Sequence, residues 1–152
     1  MKVIFLDIDG VLCTRRSHLA YGKEGGIWYE WDPLGINVIR KTCLNGVKIV
    51  LSSTWRKPVN EPHFIAQYAR YGMDRDWLYL PDWKTPITDL KRGEEIQKWL
   101  DGHQEVTDYR IIDDDNDMLE SQLKKCIFTD AEDGMTSDNI KKLLNWSGAW
   151  RA

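Results

Sequence analysis

An α/β fold, built as a central parallel sheet with helices on both faces, is what the order of segments along the chain predicts. Apolar, β-branched runs alternate with stretches of helical periodicity, the pattern of a sheet whose parallel strands are covered on both sides. Three of those runs stop at residues that carry chemistry: Asp7 and Asp9, Ser52 and Ser53, Asp113 and Asp114. Ligands of parallel α/β sheets bind at the carboxyl ends of the strands, so these residues are expected to converge. With 152 residues, 42% hydrophobic and 30% charged, the chain suits one domain over 1–152 with a sizeable core, and not a disordered tail.

The elements follow in order. "KVIFLDIDGVL" (2–12) opens with Val3, Ile4, Phe5 and Leu6, a run apolar on both strand faces and so expected to be buried. Asp7 and Asp9 then sit one residue apart, with Gly10 supplying the freedom a sharp turn needs. Two close carboxylates repel each other and resist desolvation. Their placement at the end of a buried strand points to a metal or a catalytic use over a solvated turn. Residues 13–31, "CTRRSHLAYGKEGGIWYEW", read as a mobile, basic flap carrying Arg15, Arg16, His18 and Lys23 with Gly22, Gly25 and Gly26. "PLGINVIRKTCLN" (33–45) has helical spacing at Ile36, Ile39 and Leu44, stopped by Asn45-Gly46. "GVKIVLSSTWR" (46–56) is a second buried strand ending in small hydroxyl residues. "EPHFIAQYARYG" (61–72) is a helix with Pro62 in its first turn and Gly72 at its end. Residues 73–89 are mostly irregular. "RGEEIQKWLDGH" (92–103) is amphipathic, apolar at Ile96, Trp99 and Leu100. "YRIIDDDNDM" (109–118) is a third strand, "CIFTD" (126–130) a fourth, and "TSDNIKKLLNW" (136–146) a closing helix capped by Thr136 or Ser137.

Composition excludes several classes. A net charge of −3 leaves no protein-wide electrostatic grip on nucleic acid, so any such contact is a local patch. The three widely spaced cysteines, Cys13, Cys43 and Cys126, match neither a zinc spacing nor a disulfide framework, as expected of a reducing cytoplasm. Asp7 and Asp9 interrupt the N-terminal apolar run too early for a signal peptide, and no apolar run is long enough for a membrane span. There is no "GxxxxGK" phosphate loop.

Four pieces, "DIDGVL" (7–12), "LSSTWR" (51–56), "KRGEEI" (91–96) and "IIDDDND" (111–117), resemble in order the four motifs of the haloacid dehalogenase (HAD) superfamily. Their wording is similar to that of the small HAD domains of Swiss Army Knife RNA-repair proteins and related phage and bacterial proteins. The resemblance implies a Rossmann-like HAD fold with a minimal cap at about 13–31, and a Mg²⁺-dependent phosphatase working through an aspartyl-phosphate. It makes Asp7 the nucleophile and Asp9 the acid and base. Dehalogenases of the family lack that second aspartate, so its presence favours phosphoryl chemistry. Ser52 would hydrogen-bond a non-reacting phosphate oxygen; Ser53 is its rival, either of them being equally a helix cap. Arg92 or Lys91 would neutralise the phosphoryl group; Arg92 directly precedes Gly93, where the family usually places a lysine. Asp7, the backbone of Asp9, Asp113 and Asp114 would hold Mg²⁺, with Asp117 supporting and Asp115 on the surface.

Substrate contacts are expected from Ser53, Arg56, Arg15 and Gly10. Arg56 reads equally as a surface salt bridge. Arg15, Arg16, Lys23 and Arg56 with Trp28, Trp31 and Trp55 would make a basic, aromatic rim. The short cap implies an open site and a phosphorylated nucleotide or nucleic-acid end as substrate, with no stable protein partner indicated. The competing readings are a phosphoprotein or sugar-phosphate phosphatase, a phosphate-binding module with little turnover, and a response-regulator receiver. The Asp7/Asp9 pair speaks against the binding module. Ser at the end of the second strand speaks against the receiver.

Overall fold

The computed structural model describes residues 1–21 and 30–151. Four strands form one sheet: β1 (Lys2–Leu6), β2 (Lys48–Leu51), β3 (Asp108–Asp113) and β4 (Cys126–Phe128). They lie in the order β2-β1-β3-β4, and every pair is parallel. Leu6 is in register with Leu51 on one side and Ile112 on the other. Three carboxyl ends therefore finish level, which is what brings Asp7, Ser52 and Asp113 to one edge.

Alternate residues of the strands enter two cores, as the pleat requires. Ile4, Leu6, Ile49, Leu51, Ile112 and Ile127 pack against α2 (Pro33–Leu44), α3 (Glu61–Arg70) and α5 (Ser137–Ser147) through Ile36, Ile39, Phe64, Tyr68, Leu143 and Leu144. Val3, Phe5, Val50 and Ile111 pack on the other face against Ile96 and Trp99 of α4 (Arg92–Asp101). Helices thus cover both faces, with α2, α3 and α5 on one side and α4 on the other. Asp32 caps α2 by accepting from the amides of Leu34 and Gly35, and Thr136 caps α5 by accepting from that of Asn139.

The segment read as irregular, 73–89, contains no regular strand but lies along the outer edge of β2. Tyr79 N–H donates to Ile49 O (2.9 Å), Leu51 N–H to Trp83 O (2.7 Å) and Thr85 N–H to Leu51 O (3.1 Å). These bonds satisfy the edge groups that a terminal strand leaves open.

The segment read as a flap, 13–31, is described only in part. Its first third is a helix, α1 (Arg15–Tyr21). Thr14 and Ser17 start it, the amide of each donating to the other's hydroxyl at 2.9 and 3.0 Å, a reciprocal cap that basic composition obscured. Gly22, Lys23, Gly25, Gly26 and Trp28 lie outside the described residues. Among the described residues no helix is long and apolar enough to cross a membrane.

Candidate active site

Asp7 continues β1, its amide donating to Ile112 O of β3 (3.0 Å), and Ser52 continues β2, its amide donating to Leu6 O (3.1 Å). Asp113 is the last residue of β3. All three are buried: Asp7 is 4% exposed, Ser52 and Asp113 0%. Carboxylate oxygens of Asp7, Asp113 and the more solvent-exposed Asp114, one from each, lie within 4.8 Å of one another.

Gly10 makes that approach possible. Its φ is +80°, and a Cβ there would sit 2.2 Å from Asp114 Oδ2, so the turn after Asp9 needs a residue without a side chain. Its carbonyl accepts from the Thr129 hydroxyl at 2.7 Å, which ties the turn to the segment following β4.

One guanidinium meets the acidic cluster. Arg92 Nη1 lies 2.7 Å from Asp113 Oδ2 and 3.2 Å from Asp7 Oδ2. The helix start is drawn in so closely because Gly93 follows. A Cβ on Gly93 would come 2.6 Å from Leu119 N, Gly93 N–H donates to Asp117 O (3.0 Å), and Gln122 Nε2 donates to Gly93 O (2.8 Å). Lys91, the other candidate cation, is exposed outside this contact, its backbone amide donating to Glu94 Oε2. Of the two, the structure brings Arg92 to the carboxylates.

The electrostatics follow from this crowding. Burial raises the pKa of Asp7, and the Asp113 charge raises it further, against the pull of Arg92. Burial also raises that of Asp113, again opposed by Arg92. Arg92 itself loses solvation, yet Asp7 and Asp113 more than offset that loss and hold it charged. Three carboxylates facing this one guanidinium leave a formal −2 when all are ionised. A divalent cation suits that surplus, and an all-carboxylate oxygen set is the donor chemistry Mg²⁺ takes. The residues present fit the ion.

Asp9 lies beside this cluster, exposed, with both carboxylate oxygens 3.2 Å from the indole N–H of Trp55. Its pKa is raised chiefly by desolvation, with the Trp55 bond acting in the opposite direction. A carboxyl oriented by a donor and inclined to keep its proton suits general acid work.

The two serines separate. Ser53 Oγ accepts from Trp55 N–H (3.2 Å) and caps the 3₁₀ turn Thr54–Arg56. Ser52 Oγ is buried with no hydrogen-bond partner among the described residues, a condition that costs about 1–3 kcal/mol in an ordinary core and that a phosphate oxygen would relieve.

The expected substrate contacts are placed elsewhere. Arg56 is 3% exposed and spends its guanidinium on internal acceptors, so it is not a surface salt bridge; it lines the floor of the groove that Arg92 also lines, with no donor left for a substrate. Trp31 and Trp55 are likewise buried, at 1% and 5%; Trp31 packs among Trp55, Phe64 and Tyr71. The Gly10 amide is taken by Cys13 O (2.9 Å). Arg15 is exposed on α1, 3.8 Å from Glu132. Lys23 and Trp28 lie outside the described residues. Asp115 is exposed as expected, its amide donating to Asp113 Oδ1 (3.0 Å), and Asp117 supports the site through its carbonyl. Sequence reasoning missed the Trp55–Asp9 bond and the buried pairing of Glu95 with Arg56 (2.9 Å), whose only signal was an acidic residue beside the apolar stripe of α4. Two open grooves meet at Thr54, one lined by Asp9, Trp55, Asn60 and His63, the other by Lys57, Ile87, Thr88, Leu90 and Arg92.

The family model for the HAD domain in Swiss Army Knife RNA repair proteins matches residues 3–140. Comparison with curated proteins and with solved structures gave no match. The matched span contains the four strands, but for Lys2 at the start of β1, and every residue of the cluster at their ends, and the chain belongs to this family of HAD domains.

Proposed function

We propose that the chain is a Mg²⁺-dependent phosphomonoesterase acting on a nucleotide or a nucleic-acid terminal phosphate through an aspartyl-phosphate on Asp7. Family membership points to phosphatase-type hydrolysis. The observation that carries the mechanism is the convergence of Asp7, Asp113, Asp114 and Arg92 beside an unpartnered Ser52 hydroxyl, at the ends of three neighbouring strands. In the first step an Asp7 oxygen bonds to phosphorus as the bond to the leaving oxygen breaks, and the Asp9 carboxyl gives that oxygen its proton. In the second, water attacks phosphorus, gives a proton to Asp9, and releases Asp7. Arg92 offsets charge on the phosphoryl oxygens and on Asp7, and Ser52 donates to a non-reacting oxygen. Asp7, Asp113, Asp114 and the carbonyl of Asp9 would hold Mg²⁺, which supplies charge neutralisation at the phosphoryl group.

The nucleic-acid half of the reading is supported by the RNA repair proteins in which this domain family occurs and by the two open grooves on either side of Thr54, which leave room for a bulky leaving group. The test is a comparison of kcat/KM for a 3′-phosphorylated oligonucleotide, a 5′-phosphorylated one, a mononucleotide and a hexose phosphate. The oligonucleotide ends or the mononucleotide should lead. A hexose phosphate ahead by tenfold, about 1.4 kcal/mol of transition-state preference, overturns the substrate class.

A further inference from the structure

Arg56 lies beneath the site and is fully committed. Its Nε donates to Thr85 O (3.0 Å), Nη1 to Ser52 O (3.0 Å) and Ser53 O (2.8 Å), and Nη2 to Pro86 O (3.0 Å) and Glu95 Oε2 (2.9 Å). A guanidinium has five N–H donors in a fixed plane, and here there are five acceptors. Glu95 Oε2 also accepts from Thr88 N–H at 2.8 Å. Both side chains are buried. Three pieces of chain meet on this ion pair: the Ser52-Ser53 turn, the 85–88 segment on the edge of β2, and α4, whose first residue is Arg92.

Stability alone is a poor reason for such a pair, since buried ion pairs are often replaceable by apolar residues of similar size at no loss. What a planar five-donor fork supplies, and a lysine does not, is fixed relative geometry among its acceptors. Two of those acceptors are the carbonyls of Ser52 and of its neighbour. Ser52 also carries a buried hydroxyl with no partner among the described residues to orient it, so its direction depends on the backbone that Arg56 grips.

We propose that Arg56 and Glu95 are positioning residues for the phosphate site: the pair sets the direction of the Ser52 hydroxyl and locks the Ser52 turn to the helix that carries Arg92. This rests on the phosphomonoesterase reading above. Arg56 acts through Ser52, so removing Ser52's hydroxyl removes most of what Arg56 contributes. Non-additivity of that kind separates positioning from general structural support.

The experiment is a double-variant cycle on kcat/KM for p-nitrophenyl phosphate with Mg²⁺, using Ser52→Ala, Arg56→Lys and the two together, with near-ultraviolet circular dichroism to verify folding. Each single variant is expected to lose tenfold or more, and the double variant to fall close to the worse single. A double variant whose loss is the product of the two single losses overturns the proposal, as does a folded Arg56→Lys protein within twofold of wild type. Glu95→Gln, which keeps an acceptor for Arg56 and Thr88 and removes the charge, is carried through the same cycle and decides the matter if Arg56→Lys does not fold. Wild-type turnover tests the phosphatase reading by itself. A wild type that is inert, with the cycle read instead on orthophosphate affinity and still sub-multiplicative, sinks that reading and supports the positioning role. A wild type that neither hydrolyses the ester nor binds orthophosphate sinks both.

Discussion

Replacing Gly10 by alanine should damage cation binding far more than folding. The new Cβ would lie 2.2 Å from Asp114 Oδ2, 2.4 Å from Cγ and 2.8 Å from Cβ. Ordinary contact begins near ~3.5 Å, so the carboxylate has to retreat by about 1 Å or rotate away. Asp114 lies nearer solvent than its two partners, so its retreat costs the fold little. Backbone strain at φ +80° adds about 1–2 kcal/mol for a residue with a side chain. For a chain of this size that is a fall in Tm of roughly 2–8 °C. Losing one carboxylate from the cluster should weaken Mg²⁺ by at least about tenfold, the lower end of what disturbed supporting groups cost metal sites. Titration calorimetry with Mg²⁺ measures the affinity, and thermal denaturation without metal measures the strain. Asp114→Asn is the control, expected to reproduce the affinity loss without the loss in Tm. A Gly10→Ala protein that binds Mg²⁺ as wild type does would refute the account of Gly10 as the residue that makes room for Asp114.

Asp7→Asn should abolish turnover and leave Tm unchanged or higher, because it removes a buried carboxyl whose ionisation burial and Asp113 oppose; a phosphoenzyme trapped on any other residue would sink the assignment. Asp9→Asn should slow turnover by roughly a hundredfold or more if acid–base assistance is lost, measured as kcat at saturating substrate. Activity should disappear in excess chelator, return with Mg²⁺ and return poorly with Ca²⁺, which takes more oxygens and looser geometry; full activity in chelator contradicts this. Mg²⁺ should bind more tightly as pH rises, because burial and then Asp113 raise the pKa of Asp7 and the proton must leave before the cation enters. The same raised pKa makes the metal-free protein less stable as pH climbs from the ordinary carboxylate range through the folded-state value, since the native state there holds a proton that the unfolded chain releases. An affinity independent of pH in calorimetry would count against both statements.

The sheet was legible in the chain because buried parallel strands announce themselves as short apolar runs. The runs end in Asp7, Ser52 and Asp113, and parallel strands present their carboxyl ends together, so the sequence determined that these residues would share one edge; the pairing of Leu6 with Leu51 and Ile112 set them level. It did not determine which side chains face that edge. Ser52 and Ser53 are adjacent and chemically alike; only the turn at Thr54–Arg56 makes one a cap and leaves the other unpartnered. Lys91 and Arg92 are equally cationic; only the close approach of Gly93 to Leu119 turns Arg92 toward Asp113. Trp31, Trp55 and Arg56 looked like a rim because aromatic and basic residues near a motif resemble a binding surface in one dimension. The fold put them inside because acceptors from distant segments, such as Thr85 O, Pro86 O and Glu95, satisfy the guanidinium there, and because Trp31 is enclosed by rings of α3 and its flank. Residue type and the ends of apolar runs are local properties that a sequence carries. Whether a polar group meets solvent, a ligand or a buried partner depends on contacts tens of residues away, and those exist only once the helices have closed over the sheet.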